Sequence, residues 1–243
     1  MYFEQYRRQV GRVLDEVFEK EAGRIQQAGA LLADVLEGDG FLYVFGCGHS
    51  HMLAEELFYR AGGLAAVYPI FETAAMLHEG AAKSSRIERM SGYAPYVMER
   101  YPICEGDCFL VASTSGINPF PIEMAEAARE KGAKVIGISS MEYLQKPSRC
   151  KDGKHLPAVC DICIDNHVPV GDATVEVRSD GTKAGPVSTI ATIAIAHSIT
   201  LTACELLRER GGEPCVFRSG NCPGTDEYNA GILEKYMPRI RHL

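Results

Sequence analysis

The 243-residue sequence lacks three features that would each assign it to a broad class of proteins. It has no uninterrupted apolar run long enough to cross a membrane, so we expect no membrane partner. It has no run of lysine or arginine and its net charge is −7, so we expect no nucleic-acid partner. The opening residues, Met-Tyr-Phe-Glu-Gln-Tyr-Arg-Arg, lack the apolar core of a signal peptide, which predicts a protein that is not exported.

Cysteine usage predicts the compartment. The chain has nine cysteines, an odd number in a sequence without an export signal. Several, including Cys108 and Cys204, lie inside apolar segments, where a thiol behaves as a small hydrophobic group. This usage is typical of a reducing compartment, so we expect a cytoplasmic protein.

A zinc site is the main alternative use of cysteine, because Cys150, His155, Cys160 and Cys163 fall within fourteen residues. The segment from Cys160 to Cys163 reads as a strand, where residues three apart point to opposite faces. Such a pair can neither chelate one ion nor act as a redox Cys-x-x-Cys motif, which belongs at a helix start. The sequence therefore predicts no metal site and no cofactor.

The order of apolar segments predicts the fold class. Apolar residues recur at three- and four-residue steps from Tyr2 to Leu36, which indicates a long helix that the glycines at 11, 23 and 29 break or bend. Beyond it, apolar strands alternate with helices, the pattern of a parallel sheet covered on both faces. We therefore predict an α/β three-layer sandwich with a five-stranded parallel sheet and an N-terminal helix. The strands are predicted at 41–46, 66–71, 108–113, 134–139 and 161–165, and the helices at 51–61, within 86–101, at 120–131 and at 187–209.

No repeat, low-complexity tract or linker divides the chain, which predicts a single domain over residues 1–243. Within it we distinguish an N-terminal helical extension (1–37), a core (38–209) and a C-terminal tail (210–243). No helix-turn-helix segment precedes the core, so a transcription regulator contained in this one chain is not expected.

Two strand-to-helix turns carry the residue types of an anion site. Gly46-Cys47-Gly48-His49-Ser50 follows one strand, and its glycines allow a tight turn and a close approach of the backbone to a ligand. Ser113-Thr114-Ser115-Gly116 follows another strand and precedes a helix. Hydroxyl and backbone N–H groups at such turns, together with the helix dipole, suit a phosphate. Because ligands of parallel sheets bind beyond the carboxyl ends of the strands, both turns can converge on one ligand.

A dinucleotide is a weaker alternative for the first turn. The third glycine position of Gly-x-Gly-x-x-Gly holds His51, and the Gly-Lys-Ser/Thr ending of a P-loop is absent. Ser188, at the start of the last long helix, either caps that helix or forms a third wall of the same pocket. Asp165, His167 and Asp172 either line the mouth of the pocket or form turns.

The two turns together resemble those of the SIS (sugar isomerase) family of phosphosugar-binding domains, and Ala127–Ser139 is similar to the helix and strand that follow in that family. The resemblance covers about residues 35–209 and implies the flavodoxin-like SIS fold. Gly48–Glu56 and Ile164–Ala173 look like a sparsely characterised bacterial branch that resembles phosphoheptose isomerases. The resemblance implies that the substrate-binding residues are Gly46, Gly48, Ser50, Ser113, Thr114, Ser115, Gly116 and Asn118, to which we add Ser188.

Isomerisation of a sugar phosphate needs a base that moves a proton between adjacent carbons. The resemblance implies a catalytic glutamate about three helical turns beyond the first-loop serine, but counting from Ser50 reaches Arg60, which cannot accept a proton. Glu55 and Glu56 precede it, and adjacent helix positions point about 100° apart, so only one of them can face the ligand. The catalytic candidates are Glu55, Glu56, His49 and His197, the last being the match for the family's histidine on the last long helix.

Two functions therefore stay open at this point. The first is an enzyme that isomerises a sugar phosphate or acts on an amino-sugar phosphate, which the His-Ser-His loop with Glu55 and Glu56 favours. The second is a non-catalytic sensor that binds a phosphosugar and controls a partner, which the displaced glutamate favours. Both bind a small-molecule sugar phosphate. The apolar surface of the two long helices, like the resemblance, predicts a homodimer or homotetramer.

Overall fold

A central parallel sheet organises the chain, and the computed structural model describes all its residues from Met1 to Leu243. The sheet contains β1 (Leu42–Gly46), β2 (Val67–Pro69), β3 (Cys108–Ala112), β4 (Lys134–Ser139) and β5 (Ile162–Asp165). The strands pair in the order β2-β1-β3-β4-β5, all parallel. This is the strand order of flavodoxin-like sheets, in which ligands bind beyond the carboxyl ends of the strands.

Eight α-helices and one small antiparallel hairpin complete the architecture. The hairpin pairs β6 (Ala173–Glu176) with β7 (Lys183–Pro186). The helices are α1 (Tyr2–Lys20), α2 (Ala22–Glu37), α3 (Met52–Leu57), α4 (Ala81–Glu88), α5 (Ala94–Met98), α6 (Pro119–Glu130), α7 (Ser188–Glu209) and α8 (Asp226–Tyr236). The predicted α/β fold with a five-stranded parallel sheet and an N-terminal helix is therefore confirmed.

Both faces of the sheet are buried, as the unbroken apolar strands predict. Alternate residues of β1 enter different cores, because successive strand side chains point to opposite faces. Leu42 and Val44 pack with α2, α3 and α7, whereas Tyr43 and Phe45 pack with α5, α6 and α8. The helices thus form two layers, one on each face of the sheet.

The N-terminal helix is broken rather than continuous. α1 ends at Lys20 and α2 begins at Ala22, so the break falls at Glu21 and not at a glycine. The buried carboxylate of Glu21 contacts His167 Nε2 at 3.3 Å and accepts from the Asp165 backbone N–H at 3.4 Å. The bend thereby joins the helix to the carboxyl end of β5. α2 then packs on the sheet beside α7, so it is part of the core layer rather than an extension.

The helix predicted at 51–61 is shorter in the structure. A single 3₁₀ turn (Gly48–His51) leads into the six residues of α3, and Phe58 is already extended. The chain turns away because Gly62 N–H donates to the Phe217 carbonyl and Phe217 N–H donates to the Gly63 carbonyl. Arg60 therefore lies beyond the helix on which the sequence analysis places it.

The segments outside the predicted elements also pack closely. The helix predicted within 86–101 is two helices, α4 and α5, of which α4 begins earlier, at Ala81. The residues predicted as a C-terminal tail contain α8, whose Ile232 and Tyr236 are buried against the sheet together with Ile240. The hairpin of β6 and β7 has no counterpart in the sequence analysis. β6 (Ala-Thr-Val-Glu) alternates over only four residues, and β7 (Lys-Ala-Gly-Pro) is mostly exposed and carries no apolar pattern.

α7 is the one helix of the chain that is long and apolar enough to cross a membrane by length and composition. However, 44% of its most apolar 18-residue stretch is buried inside the chain. Ile195 and Ile199 pack into the same core as Leu32 of α2. An apolar helix of this kind is accounted for by a core position.

The orientation predicted for Cys160 and Cys163 is wrong. Cys160 follows a 3₁₀ turn (Leu156–Val159) and precedes β5, so the two residues do not share a strand. A methyl group added at Gly137 would lie 2.5 Å from the Cys160 sulfur and 3.2 Å from that of Cys163, so both thiols face this glycine. The neighbouring Cys163 side chain, followed by burial, raises the pKa of the Cys160 thiol, whose sulfur donates to the Leu156 carbonyl at 3.2 Å. The Cys160 thiol is therefore protonated at neutral pH.

Candidate functional site

In the first turn, the backbone of Gly46 packs directly against the backbone of Ser50. A Cβ atom at Gly46 would collide with the Ser50 carbonyl group, so only glycine fits there. Gly48 has a φ of +57°, a conformation that other residues rarely adopt. Both glycines therefore shape the turn, and they place Ser50 and the exposed His49 at the carboxyl end of β1.

The second turn follows β3, the neighbour of β1 in the sheet. The Ser113 hydroxyl accepts a hydrogen bond from Gly116 N–H at 3.3 Å, and a Cβ atom at Gly116 would lie 2.5 Å from Ser139 Oγ. The backbone N–H groups of Thr114 and Ser115 make no hydrogen bond within the chain. Two adjacent unpaired donors at the end of a parallel strand are a suitable cradle for an anion.

A small, partly open cleft lies between the two turns and the first turns of α7. Most of its lining residues carry a hydroxyl or imidazole group; they are His49, Ser50, Leu53, Thr114, Ser188, Thr189, Thr192 and Ile193. The structure therefore brings together four of the predicted site residues, His49, Ser50, Thr114 and Ser188. Thr192 was not predicted, whereas Thr189 directly follows Ser188 at the helix start that the sequence offers as a third wall of the pocket.

The start of α7 is capped by a carboxylate. Asp172 Oδ1 accepts from the backbone N–H groups of Val187 and Ser188, both at 2.9 Å, and its Oδ2 accepts from Ser188 Oγ at 2.6 Å. Ser188 thus lines the cleft, but its hydroxyl proton is already donated to the cap. Asp172 was predicted either to line the mouth of the pocket or to form a turn. It forms a turn, in which it has a positive φ, and its side chain caps α7.

Asn118, predicted as a ligand, is occupied elsewhere. Its side chain is buried, its Nδ2 donates to Glu88 Oε1 at 2.7 Å and its Oδ1 accepts from Arg149 Nη1 at 2.6 Å. Together with Ser113, Ser115 and Gly116 it lies outside the residues that line the cleft. The structure therefore gives Asn118 the role of a bridge between α4 and the segment after β4.

A carboxylate and an imidazole meet one helical turn beyond the cleft. Glu56 of α3 follows the cleft residue Leu53 by three positions, and His197 of α7 follows Ile193 by four, so each pair shares a helix face. Glu56 Oε1 lies 2.9 Å from His197 Nε2, and the Arg60 guanidinium also donates to Glu56 Oε1. Two of the four catalytic candidates are thus in direct contact.

The protonation state of His197 follows from its surroundings. Burial, and secondarily the nearby Arg60 charge, lower the pKa of His197, so the ring is neutral at neutral pH. A carboxylate only accepts hydrogen bonds, so the single ring proton lies on Nε2 and points at Glu56. The Nδ1 lone pair is then available to accept a proton. The pair can therefore take up a proton at either member.

The remaining candidates separate clearly in space. Glu55 lies next to Glu56 in sequence, but its carboxylate contacts His51 Nε2 at 3.2 Å and is absent from the cleft lining. His49 does line the cleft. This separation follows from helix geometry, because adjacent side chains diverge by about 100°.

Comparison with known proteins identifies relatives along nearly the whole chain. The family model described as SIS domain matches residues 5–140, so it begins before the 35–209 span on which the sequence resemblance rests and ends earlier. A UPF0309 protein of Geobacillus thermodenitrificans is 44% identical over 238 residues, covering 98% of this chain and 96% of the relative. UPF0309 protein lin2794 of Listeria innocua is 46% identical over 230 residues, covering 94% of this chain and 93% of the relative.

Solved structures share the fold at low sequence identity. The phosphoheptose isomerase GmhA of Neisseria gonorrhoeae has a TM-score of 0.54 at 19% identity and covers 80% of this chain and 92% of its own. E. coli CFT073 c3406, solved in complex with a sugar phosphate, has a TM-score of 0.51 at 13% identity, with 85% and 89% covered. At these identities the likeness establishes the fold.

Proposed function

Because this chain belongs to the SIS domain family, we propose that its cleft binds the phosphate group of a sugar phosphate. The observation that carries the proposal is the convergence of three elements on one cleft. The first turn, the second turn and the start of α7 all contribute hydroxyl groups to the lining. Thr114 adds an unpaired backbone N–H group, and the adjacent N–H group of Ser115, just outside the lining, is also unpaired. Such neutral donors at strand ends recur in phosphate sites.

The fold neighbours support a sugar phosphate as the ligand class. One is named as a phosphoheptose isomerase and another was solved with a bound sugar phosphate.

We also propose a cytoplasmic location, the compartment in which sugar phosphates are metabolised. The nine cysteines of this chain form no disulfide, which is compatible with a reducing compartment.

We further propose that the protein interconverts aldose and ketose forms of its ligand. In that reaction a base takes the proton from the hydroxyl-bearing carbon beside the carbonyl carbon and returns it to the former carbonyl carbon, through an enediol. The hydroxyl proton passes to the former carbonyl oxygen. Glu56 lies one helical turn from the cleft, and its contact with neutral His197 provides a partner that can donate or accept a proton. A sugar whose phosphate sits in the cleft would extend its first carbons toward this pair.

One observation favours the sensor instead. The Arg60 guanidinium donates to the same oxygen of Glu56 that contacts His197. A carboxylate held by a permanent cation is a weaker base than a free one. In a sensor the pair would serve only to hold α3 against α7.

One screen separates the two functions. Heptose, hexose, pentose and amino-sugar phosphates would be tested for thermal stabilisation of the chain and, in parallel, for conversion of aldose to ketose. An isomerase is expected to be stabilised by at least one of them and to convert it. Stabilisation without conversion would support the sensor, and the absence of any stabilisation would contradict phosphosugar binding.

We also propose that the protein is a homo-oligomer. The outward face of α7 carries Ile190, 39% exposed, and Leu201, 66% exposed, on either side of half-exposed His197. A second subunit on this face would cover the apolar residues and enclose the Glu56–His197 pair. Light scattering at micromolar concentration is expected to give a multiple of the 26.6 kDa chain mass. A monomer mass would contradict the proposal.

A further inference from the structure

Beside the first turn, outside the cleft, two histidines and one glutamate converge. The ligand atoms of His51, Glu55 and His78 all lie within 4.8 Å of one another. His51 ends the 3₁₀ turn, Glu55 follows it in α3, and His78 comes from the loop before α4. The geometry points to a binding site for one divalent transition-metal ion on these three side chains.

The hydrogen bonding of His51 carries the argument. Its Nδ1 contacts the carbonyl oxygen of Gly48, and a carbonyl only accepts, so Nδ1 bears the ring proton. A hydrogen bond of this kind from one ring nitrogen to a backbone carbonyl orients metal-ligating histidines and fixes their tautomer. The other nitrogen, Nε2, then directs a lone pair outward from a side chain that is only 7% exposed.

A carboxylate oxygen faces the outward ring nitrogen of His51. Nε2 of His51 lies 3.2 Å from Glu55 Oε1. With Nδ1 directed at the Gly48 carbonyl, Nε2 and this oxygen are two ligand atoms close enough to bind one metal ion together. His78, whose ring centroid lies 5.6 Å from that of His51, supplies a third donor.

The donor set and the exposure define the class of ion. Two imidazole nitrogens and one carboxylate oxygen suit Zn²⁺, Co²⁺, Ni²⁺ or Fe²⁺ rather than Mg²⁺ or Ca²⁺. Bonds of about 2.1 Å place ligand atoms at most about 4.2 Å apart, which small rotations of the exposed Glu55 and His78 side chains achieve. Because Glu55 is 49% exposed and His78 is also exposed, the ion would keep a coordination position open to solvent.

The test measures metal binding directly and is independent of any sugar phosphate. Chelator-treated protein would be titrated with Co²⁺, followed by visible absorption, and with Zn²⁺, followed by calorimetry. One ion per chain is expected. His78→Ala and Glu55→Gln alter exposed side chains that do not support the core, so circular dichroism should show both folded. Each is expected to weaken metal binding by at least about a hundredfold. Substitution of a residue that only hydrogen-bonds to a metal ligand already lowers metal affinity by about 10–100-fold.

His155→Ala is the matched control, since His155 lies on the segment after β4 and contacts only the Lys146 carbonyl. Its metal affinity is expected to stay within about twofold of the unmodified chain. The inference is overturned if the unmodified chain binds no ion. It is also overturned if His155→Ala weakens binding as much as His78→Ala, or if neither His78→Ala nor Glu55→Gln weakens it. In any of these cases His51 and Glu55 form a hydrogen-bonded pair only.

Discussion

Glu56→Gln is expected to lower the turnover of a sugar phosphate by at least about a hundredfold, while the affinity for that ligand changes by less than about threefold. Glutamine has the same shape as glutamate but cannot accept the proton that isomerisation moves. The phosphate cleft lies a helical turn away, so binding of the phosphate group should persist. Steady-state kinetics of the aldose–ketose conversion and calorimetric titration with the same ligand measure the two quantities.

Two comparison variants make this result specific. Glu55→Gln changes the adjacent carboxylate, which contacts His51 rather than His197, and should lower turnover far less. Glu205→Gln changes an exposed glutamate two turns beyond His197 on α7 and should leave turnover within about twofold. If Glu56→Gln retains full activity while Glu55→Gln loses it, the assignment of the base to Glu56 is wrong. His197→Gln should resemble Glu56→Gln, because it removes the proton partner of the carboxylate.

The combined substitution Ser50→Ala and Thr189→Val is expected to weaken sugar-phosphate binding by at least about a hundredfold. A hydrogen bond to a charged group contributes about 1.5–3 kcal/mol, and two such bonds would be lost. Both residues line the cleft, and neither hydroxyl is engaged with another group of the chain, unlike that of Ser188, which donates to Asp172. The double variant should therefore keep the stability of the unmodified chain, which thermal unfolding would verify.

Ser85→Ala provides the control for this measurement. Ser85 lies on α4, outside the cleft, and its hydroxyl donates to the Ala81 carbonyl. Its substitution should leave the affinity unchanged. Unaltered binding by the folded double variant would show that the phosphate is held elsewhere. Ser113 is a poor choice for this experiment, although the sequence singles it out, because its hydroxyl already accepts from Gly116 N–H and holds the turn.

The sheet could be predicted from the sequence almost residue by residue, because a strand buried on both faces leaves an apolar run that turns interrupt. The predicted strand at 134–139 coincides with β4, and the one at 161–165 begins one residue before β5. Helix limits were less predictable. α3 ends at Leu57 because the segment around Phe217, more than 150 residues away, hydrogen-bonds to Gly62 and Gly63. The sequence around α3 contains no signal of such a distant hydrogen-bond partner.

The candidate site shows the same division. Both turns can be recognised in the sequence as glycine and hydroxyl residues at strand ends, because the conformation of a turn depends on consecutive residues. The choice between Glu55 and Glu56 depends on which one His197 approaches, across 141 positions of sequence. The occupation of Asn118 by Glu88 and Arg149 is equally non-local. The error over Cys160 came from treating it as part of the strand that begins at Ile162, which gave its side chain the wrong direction.

The sequence by itself determined the parallel α/β sheet, the two hydroxyl-bearing turns and the set of possible bases, because strand burial and turn chemistry depend on neighbouring residues. Only the tertiary structure decided which of those residues share a cleft, which are occupied as caps or bridges, and that Glu56 meets His197 while Glu55 meets His51 and His78. These outcomes depend on how α3, α7 and the loop before α4 pack together. Packing is set by the whole core, and a single position in the sequence carries little information about its distant partners.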